Sequence, residues 1–193
     1  MTAAARMPGR RPADHELIAA VANGNLEALG TLFERHEPAV RRYLGRLGIA
    51  RADIDDLIQA SFLEVVRAAA RFDPSYPAQG WLFGIATMMA RRHRRSLGRS
   101  AARVAAWLGA LRSQAVPEPT PAERLDDRAA LRRVAHAVDR LSLKKREVFV
   151  LVTVEGLSGE EAAAALGIPV NTVWTRLHHA RRELRAALAE REP

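Results

Sequence analysis

The sequence predicts an all-α protein: two small helical domains joined by a flexible proline-rich linker, the C-terminal one a helix-turn-helix. Three observations predict it. Apolar residues recur at three- and four-residue spacing through most of the chain. The segment 112–124, RSQAVPEPTPAER, sets three prolines at alternate positions, which favours extended chain over a packed element. The stretch 157–185, LSGEEAAAALGIPVNTVWTRLHHARRELR, carries the stop and start signals of two helices with very few residues between them.

Residues 1–13 read as a flexible basic tail. Asp14 can cap a first helix with Leu17, Ile18 and Val21 on its inner face, ending near Gly24. A second helix starts near Asn25 with Leu26, Leu29 and Phe33 inward; Pro38 should break or kink it before Val40, Tyr43, Leu44 and Leu47. A third runs from about Ala52 to Ala70, with Ile54, Leu57, Ile58, Phe62, Val65 and Val66 inward. A fourth runs from about Ala78 to Leu97. These make a first domain over 14–98, followed by a linker over 99–124.

The second domain spans 125–190. Leu131, Val134, Val138 and Leu141 share one face of an amphipathic helix, and Ser142 can cap the next. The β-branched run 148–154, VFVLVTV, is ambiguous alone, but its helical neighbours make it a buried helix. Ser158 with Glu161 three residues on forms a capping box, worth roughly 1 kcal/mol. Gly167 suits a left-handed helix end, and Pro169 suits the first turn of the next helix. Val170, Val173 and Leu177 then face inward, which leaves Asn171, Thr172, Trp174, Thr175, Arg176, His178 and His179 facing out. Such a face fits the DNA major groove, against the plainer reading of a solvated helical hairpin.

The net charge of +8 is unevenly placed. Residues 71–124 hold nine basic and three acidic side chains, and no acid occurs between Pro74 and Pro117. A local cationic field attracts polyanions, most commonly nucleic acid. There is no cysteine, which excludes disulfides and cysteine-based zinc sites. With no secretion signal and no apolar run long enough to span a bilayer, the expectation is a cytoplasmic protein without membrane insertion. No cofactor or metal is expected, since adjacent His178 and His179 would point about 100° apart on a helix.

Two more constellations matter. Asp53, Asp55, Asp56, Gln59 and Glu64 make the third helix acidic, either as complements of its N-terminal dipole or as a face for a basic protein. Phe72, Tyr76, Trp81 and Phe83 crowd into twelve positions ahead of Arg91, Arg92, His93, Arg94, Arg95, Arg99 and Arg103. Stacking surfaces beside a cationic track suit opened DNA; in the plainer version Trp81 and Phe83 are core. The arginines, with no compensating acid in their neighbourhood of sequence, read as phosphate contacts.

The segments DDLIQASFLEVV, FDPSYPAQGWLFGIATMMARRHRR and LSLKKREVFVLVTVEGLSGEEAAAALGIPVNTVWTRLHHARRELR, in that order, resemble the extracytoplasmic-function (ECF) group of sigma-70 RNA polymerase sigma factors. The resemblance runs from about Asp14 to Leu188. It implies that Asp55, Asp56, Gln59 and Glu64 dock on the clamp coiled coil of the polymerase β′ subunit. It gives the −10 element to Trp81, Arg91, Arg92, Arg94 and Arg95, and the −35 element to Asn171, Thr172, Trp174, Thr175, Arg176, His178, His179 and Arg181. The partners implied are core RNA polymerase (β′ clamp and β subunits), double-stranded and melted promoter DNA, and an anti-sigma factor. The chain departs from the family pattern at Met88, Arg92, Asn171 and Trp174, the positions that bear on base preference. A DNA-binding regulator acting without polymerase is the competing reading; it leaves the acidic helix unexplained. An enzyme is disfavoured, because no carboxylate or cysteine set accompanies the histidines.

Overall fold

The computed structural model describes the backbone of residues 11–108 and 126–189, and side-chain surroundings for 11–97 and 133–189. The tail at 1–10, the prolines of the linker, and the side chains of Arg99, Arg103 and Leu131 lie outside the described residues. Among those described, every regular element is helical.

α1 spans Asp14–Ala22 and α2 spans Leu26–Arg46. Asp14 does not cap α1. Ala13 holds the N-cap position, its N–H donating to the Glu16 carboxylate at 2.7 Å. The Asp14 carboxylate instead meets Arg35 and His36 Nε2 (2.8 Å), tying α1 to α2. Asn25 caps α2 by accepting from the Ala28 N–H at 3.0 Å. The helix continues through Pro38 rather than ending there. Its buried face is Ala28, Leu32, His36, Val40, Tyr43 and Leu44, so Leu26 (71% exposed) and Phe33 are not inward as the spacing suggested. Phe33 lies edge-on to Phe62, with ring centres 4.8 Å apart.

α3 spans Arg51–Ala68 and a 3₁₀ turn follows at Ala69–Arg71. Ile54, Leu57, Ile58, Phe62 and Val65 are buried, whereas Val66 is exposed, against expectation. α4 spans Ala78–Leu108, well past the expected boundary at residue 98. Phe83 is fully buried and stacks on Tyr43 at 4.5 Å. Thr87 donates to the Phe83 carbonyl (2.8 Å), so the Tyr43 hydroxyl is the donor in its 2.6 Å contact with Thr87. Burial pushes the Tyr43 phenol above its ordinary range.

In the C-terminal half α5 spans Asp126–Arg140 and α6 spans Leu143–Phe149. The β-branched run is helical and continues α6 as a π-helical turn, Val150–Val154. Ser142 occupies the N-cap of α6 but its hydroxyl makes no cap bond, and Val134 on α5 is exposed rather than inward. α7 spans Gly159–Leu166 and α8 spans Val170–Ala189. The capping box is present: Ser158 Oγ accepts from the Glu161 N–H (3.1 Å), and Glu161 accepts from the Ser158 N–H (2.7 Å). Gly167 adopts φ +64°, the left-handed turn that separates α7 from α8.

The two halves share one core. Leu82, Phe83 and Ala86 of α4 belong to the same buried cluster as Leu151, Leu157, Ala162, Leu166 and Val173. α4 and α7 cross so closely that a Cβ on Gly84 would stand 2.5 Å from the Ala165 carbonyl oxygen. A second small cluster, Ala137, Leu141, Ala180 and Leu184, joins α5 to α8.

Candidate functional site

Three surfaces correspond to the three sequence constellations. On α3, Asp55, Asp56 and Gln59 are exposed, Asp55 at 76% of its side chain. Glu64 is half-buried beside Arg67 at 3.3 Å, and Arg41 reaches Asp55 at 2.6 Å. The Arg41 guanidinium is held above its ordinary range by hydrogen bonds to Glu37 and Asp55. Leu63 and Val66 are also exposed and continue the stripe at helical spacing from Asp56 and Gln59. Sequence reasoning missed them, because Val66 fits an inward pattern and Leu63 fits none. The stripe is acidic at its N-terminal end and apolar at its C-terminal end.

On α4 the aromatic and basic residues divide. Phe83 is core, in line with the plainer reading of the aromatic cluster. Trp81 is half-buried against Phe72, ring centres 5.0 Å apart. Phe72, Tyr76, Trp81 and Met88 line a cleft of about 470 Å³, closed on its far side by α7. Arg92 and Arg95 are exposed; Arg91 and Arg94 are not free. Arg91 donates through Nε and Nη2 to the two oxygens of Glu147, at 2.8 and 2.6 Å. The Glu147 side chain is 1% exposed. These bonds hold the Arg91 guanidinium above its ordinary range. The arginine run does have a compensating acid: it comes from α6, a distance of 56 residues along the chain, where no local inspection would find it. Arg94 donates to the Leu47 and Gly48 carbonyls.

Arg146 of α6, buried and with its guanidinium pushed below its ordinary range by that burial, also donates to Leu47 O, at 3.1 Å. Arg46 pairs with Glu155. Ion pairs and a carbonyl contact thus fasten the halves in addition to the α4–α7 crossing.

On α8 the outward stripe is Asn171, Trp174, Thr175, His178 and Arg181, all exposed, with Arg182 and Arg185 beyond. Thr172, Arg176 and His179 are half-buried, not outward as expected. Arg176 lines a cleft of about 420 Å³ that also holds Arg91, Arg94, Arg95, Lys144 and Glu147, so it faces the first half. The His178 and His179 rings sit 5.7 Å apart, edge to face. Among the described residues no group of three or more metal-ligating side chains converges. None of the described helices is long and apolar enough to cross a membrane.

Comparison with known proteins gives a consistent picture. Residues 32–100 match the family model of sigma-70 region 2, and residues 131–184 match sigma-70, region 4. The chain is 38% identical over 182 residues to the RNA polymerase sigma factor CnrH of Cupriavidus metallidurans, covering 91% of this chain and 94% of that one. It is 32% identical to the ECF RNA polymerase sigma factor SigL of Mycobacterium tuberculosis, covering 90% and 96%. The structure of CnrH in complex with the cytosolic domain of CnrY superposes with a TM-score of 0.65 and 32% identity, covering 93% of this chain and 99% of that one.

Proposed function

The chain belongs to the extracytoplasmic-function group of the sigma-70 family, and from that premise we propose how its three surfaces divide the work. It is a sigma factor: it binds core RNA polymerase and directs promoter-specific initiation by recognising −35 and −10 DNA. We assign polymerase docking, on the β′ clamp, to Asp55, Asp56, Gln59 and Glu64, with Leu63 and Val66 extending the contact. The −10 element falls to Trp81, Arg91, Arg92, Arg94 and Arg95 of α4. An unstacked base costs a few kcal/mol and finds its compensation in the aromatic cleft beside them. The −35 element falls to the outer face of α8, with Asn171, Trp174, Thr175 and His178 at base edges and Arg181 at phosphate. The protein itself carries out no catalysis, acts in the cytoplasm with the polymerase, and takes an anti-sigma factor as its controlling partner. Residues 14–98 and 125–190 are the two working domains, with 99–124 between them.

The −35 and −10 elements are about 25 base pairs apart, roughly 85 Å at about 3.4 Å per step. Halves in van der Waals contact cannot grip both. The closed arrangement is therefore that of the protein off the promoter, and the halves separate when polymerase holds them. Arg91, paired with Glu147, and Arg176, in the cleft between the halves, become available to DNA on that separation, while Arg94 stays held by the Leu47 and Gly48 carbonyls of its own half.

The observation that carries this reading is the α3 stripe. A regulator working on DNA alone needs α8 and the arginines, but has no use for an exposed acidic and apolar face on a separate helix. The test is binding to purified core polymerase. The wild-type protein should bind, and Asp56→Arg with Leu63→Asp should weaken binding at least tenfold at unchanged helical content. Failure of the wild-type protein to bind core would overturn the reading.

A further inference from the structure

Trp174 and Gly159 meet in a way that neither residue explains alone. Trp174 is half exposed on the outer stripe of α8, as a residue that touches DNA should be. Yet its indole also lies across the first residue of α7. A Cβ built on Gly159 would stand 2.3 Å from Cζ2, 2.8 Å from Cε2 and 2.9 Å from Cη2 of that ring. Gly159 is buried and has ordinary helical backbone, so no left-handed conformation demands glycine there. By intrinsic preference alanine would suit the position better. What excludes a side chain is the indole. One edge of the ring is thus fixed against the α7 backbone, and the remainder is left to the groove.

The neighbour of Trp174 narrows the chemistry. Thr175 donates its hydroxyl to the Asn171 carbonyl, 2.9 Å away within its own helix. Its one donor is spent locally, so toward DNA it offers only acceptor lone pairs and its methyl group. Indole carbon and a threonine methyl at consecutive exposed positions make an apolar reader, and the one apolar group in the major groove is the thymine 5-methyl.

We propose that Gly159 is a positioning residue for −35 recognition: it seats the Trp174 indole beside Thr175 so that the pair reads a thymine methyl. This rests on α8 being the −35 helix. Gly159 acts only through Trp174; it need not touch DNA itself.

Uracil differs from thymine only by that methyl, and it provides the test. A cognate promoter is first recovered by sequencing DNA bound by the reconstituted holoenzyme. Each −35 thymine is then replaced by uracil, one at a time, and holoenzyme affinity is measured for the wild-type protein, Gly159→Ala, Trp174→Ala and the double variant. The wild-type protein should lose about fivefold at one position, the lower end of the usual cost of a mismatched pair. Gly159→Ala and Trp174→Ala should each become insensitive to uracil at that position. The double variant should be no worse than Trp174→Ala. Sensitivity at −10 positions and binding to core should not change, which a general unfolding of the hairpin would not allow. If Gly159→Ala keeps the wild-type uracil pattern, or if no −35 uracil matters to the wild-type protein, the proposal is overturned. If −35 sequence has no effect on the holoenzyme at all, the assignment of α8 falls with it.

Discussion

Glu147→Gln is the substitution that most directly tests the closed arrangement. Glu147 is buried in α6 and accepts two charge-assisted hydrogen bonds from Arg91 of α4. Glutamine has nearly the same shape but can accept from only one of the two donors, and its NH₂ opposes the other. Removing one partner of a fully buried pair costs about 3–5 kcal/mol. Arg91 is 32% exposed and can turn partly to water, which discounts the figure to about 2 kcal/mol. That is roughly a 30-fold shift toward separated halves, at about 1.4 kcal/mol per factor of ten. The chain has no cysteine, so single cysteines at exposed Glu34 and Arg185 accept a donor–acceptor pair without background labelling. Energy transfer should fall in Glu147→Gln, and affinity of the free protein for single-stranded −10 DNA should rise as Arg91 is released. Arg91→Ala should lower energy transfer without raising DNA affinity. Unchanged energy transfer in both variants, at unchanged circular dichroism, would refute the claim that this pair holds the halves together.

Two other outcomes are expected. Arg95→Ala removes an exposed cation on α4 and should lower promoter opening and reduce the salt slope by about one, while leaving binding to core intact; the slope of log affinity against log salt is the measurement. Tyr43→Phe removes the bond to Thr87 and should cost about 1 kcal/mol at neutral pH in urea unfolding. Because the folded protein raises the Tyr43 phenol above 10.0, the unfolded chain ionises first; wild-type stability is full below that pH and falls as pH rises through it. Tyr43→Phe should lose less stability than the wild-type protein over that range.

The sequence made the helix-turn-helix legible because its signals are local. Ser158, Glu161 and Gly167 each act within a turn of where they stand and take the expected place, and Pro169 sits one residue earlier than expected, at the N-cap of α8 rather than in its first turn. Elements with a strict inner face, such as Ile54 to Val65, were legible for the same reason. Errors arose where two faces were possible. Leu26 and Phe33 keep helical spacing with Leu29, but Ala28, Leu32 and His36 form the face that packs, since Asp14 draws His36 inward. The ends of capped helices misled where a tertiary partner competed, as Arg35 and His36 do for Asp14. Long-range pairings were not legible at all. Nothing near Arg91 or Arg94 in the chain points to Glu147, Leu47 or Gly48, so residues read as free cations are partly committed within the fold. For the same reason helical spacing puts Arg176 on the outer face, whereas it looks across to α4.

The shared core has a consequence for the life of the molecule between rounds of transcription. Leu157, Ala162 and Leu166 are buried in one cluster that takes in Leu82, Phe83 and Ala86 of the other half as well as Leu151 and Val173 of their own. Whenever the halves part, a contiguous apolar surface is bared on each, and such surfaces seek other protein. Folding back on itself is one way a copy in excess of polymerase covers that surface; a protein partner is another. A change that loosens the clasp would thus lower the amount of protein in the cell through aggregation and proteolysis, even as it sharpened the appetite of each surviving copy for DNA.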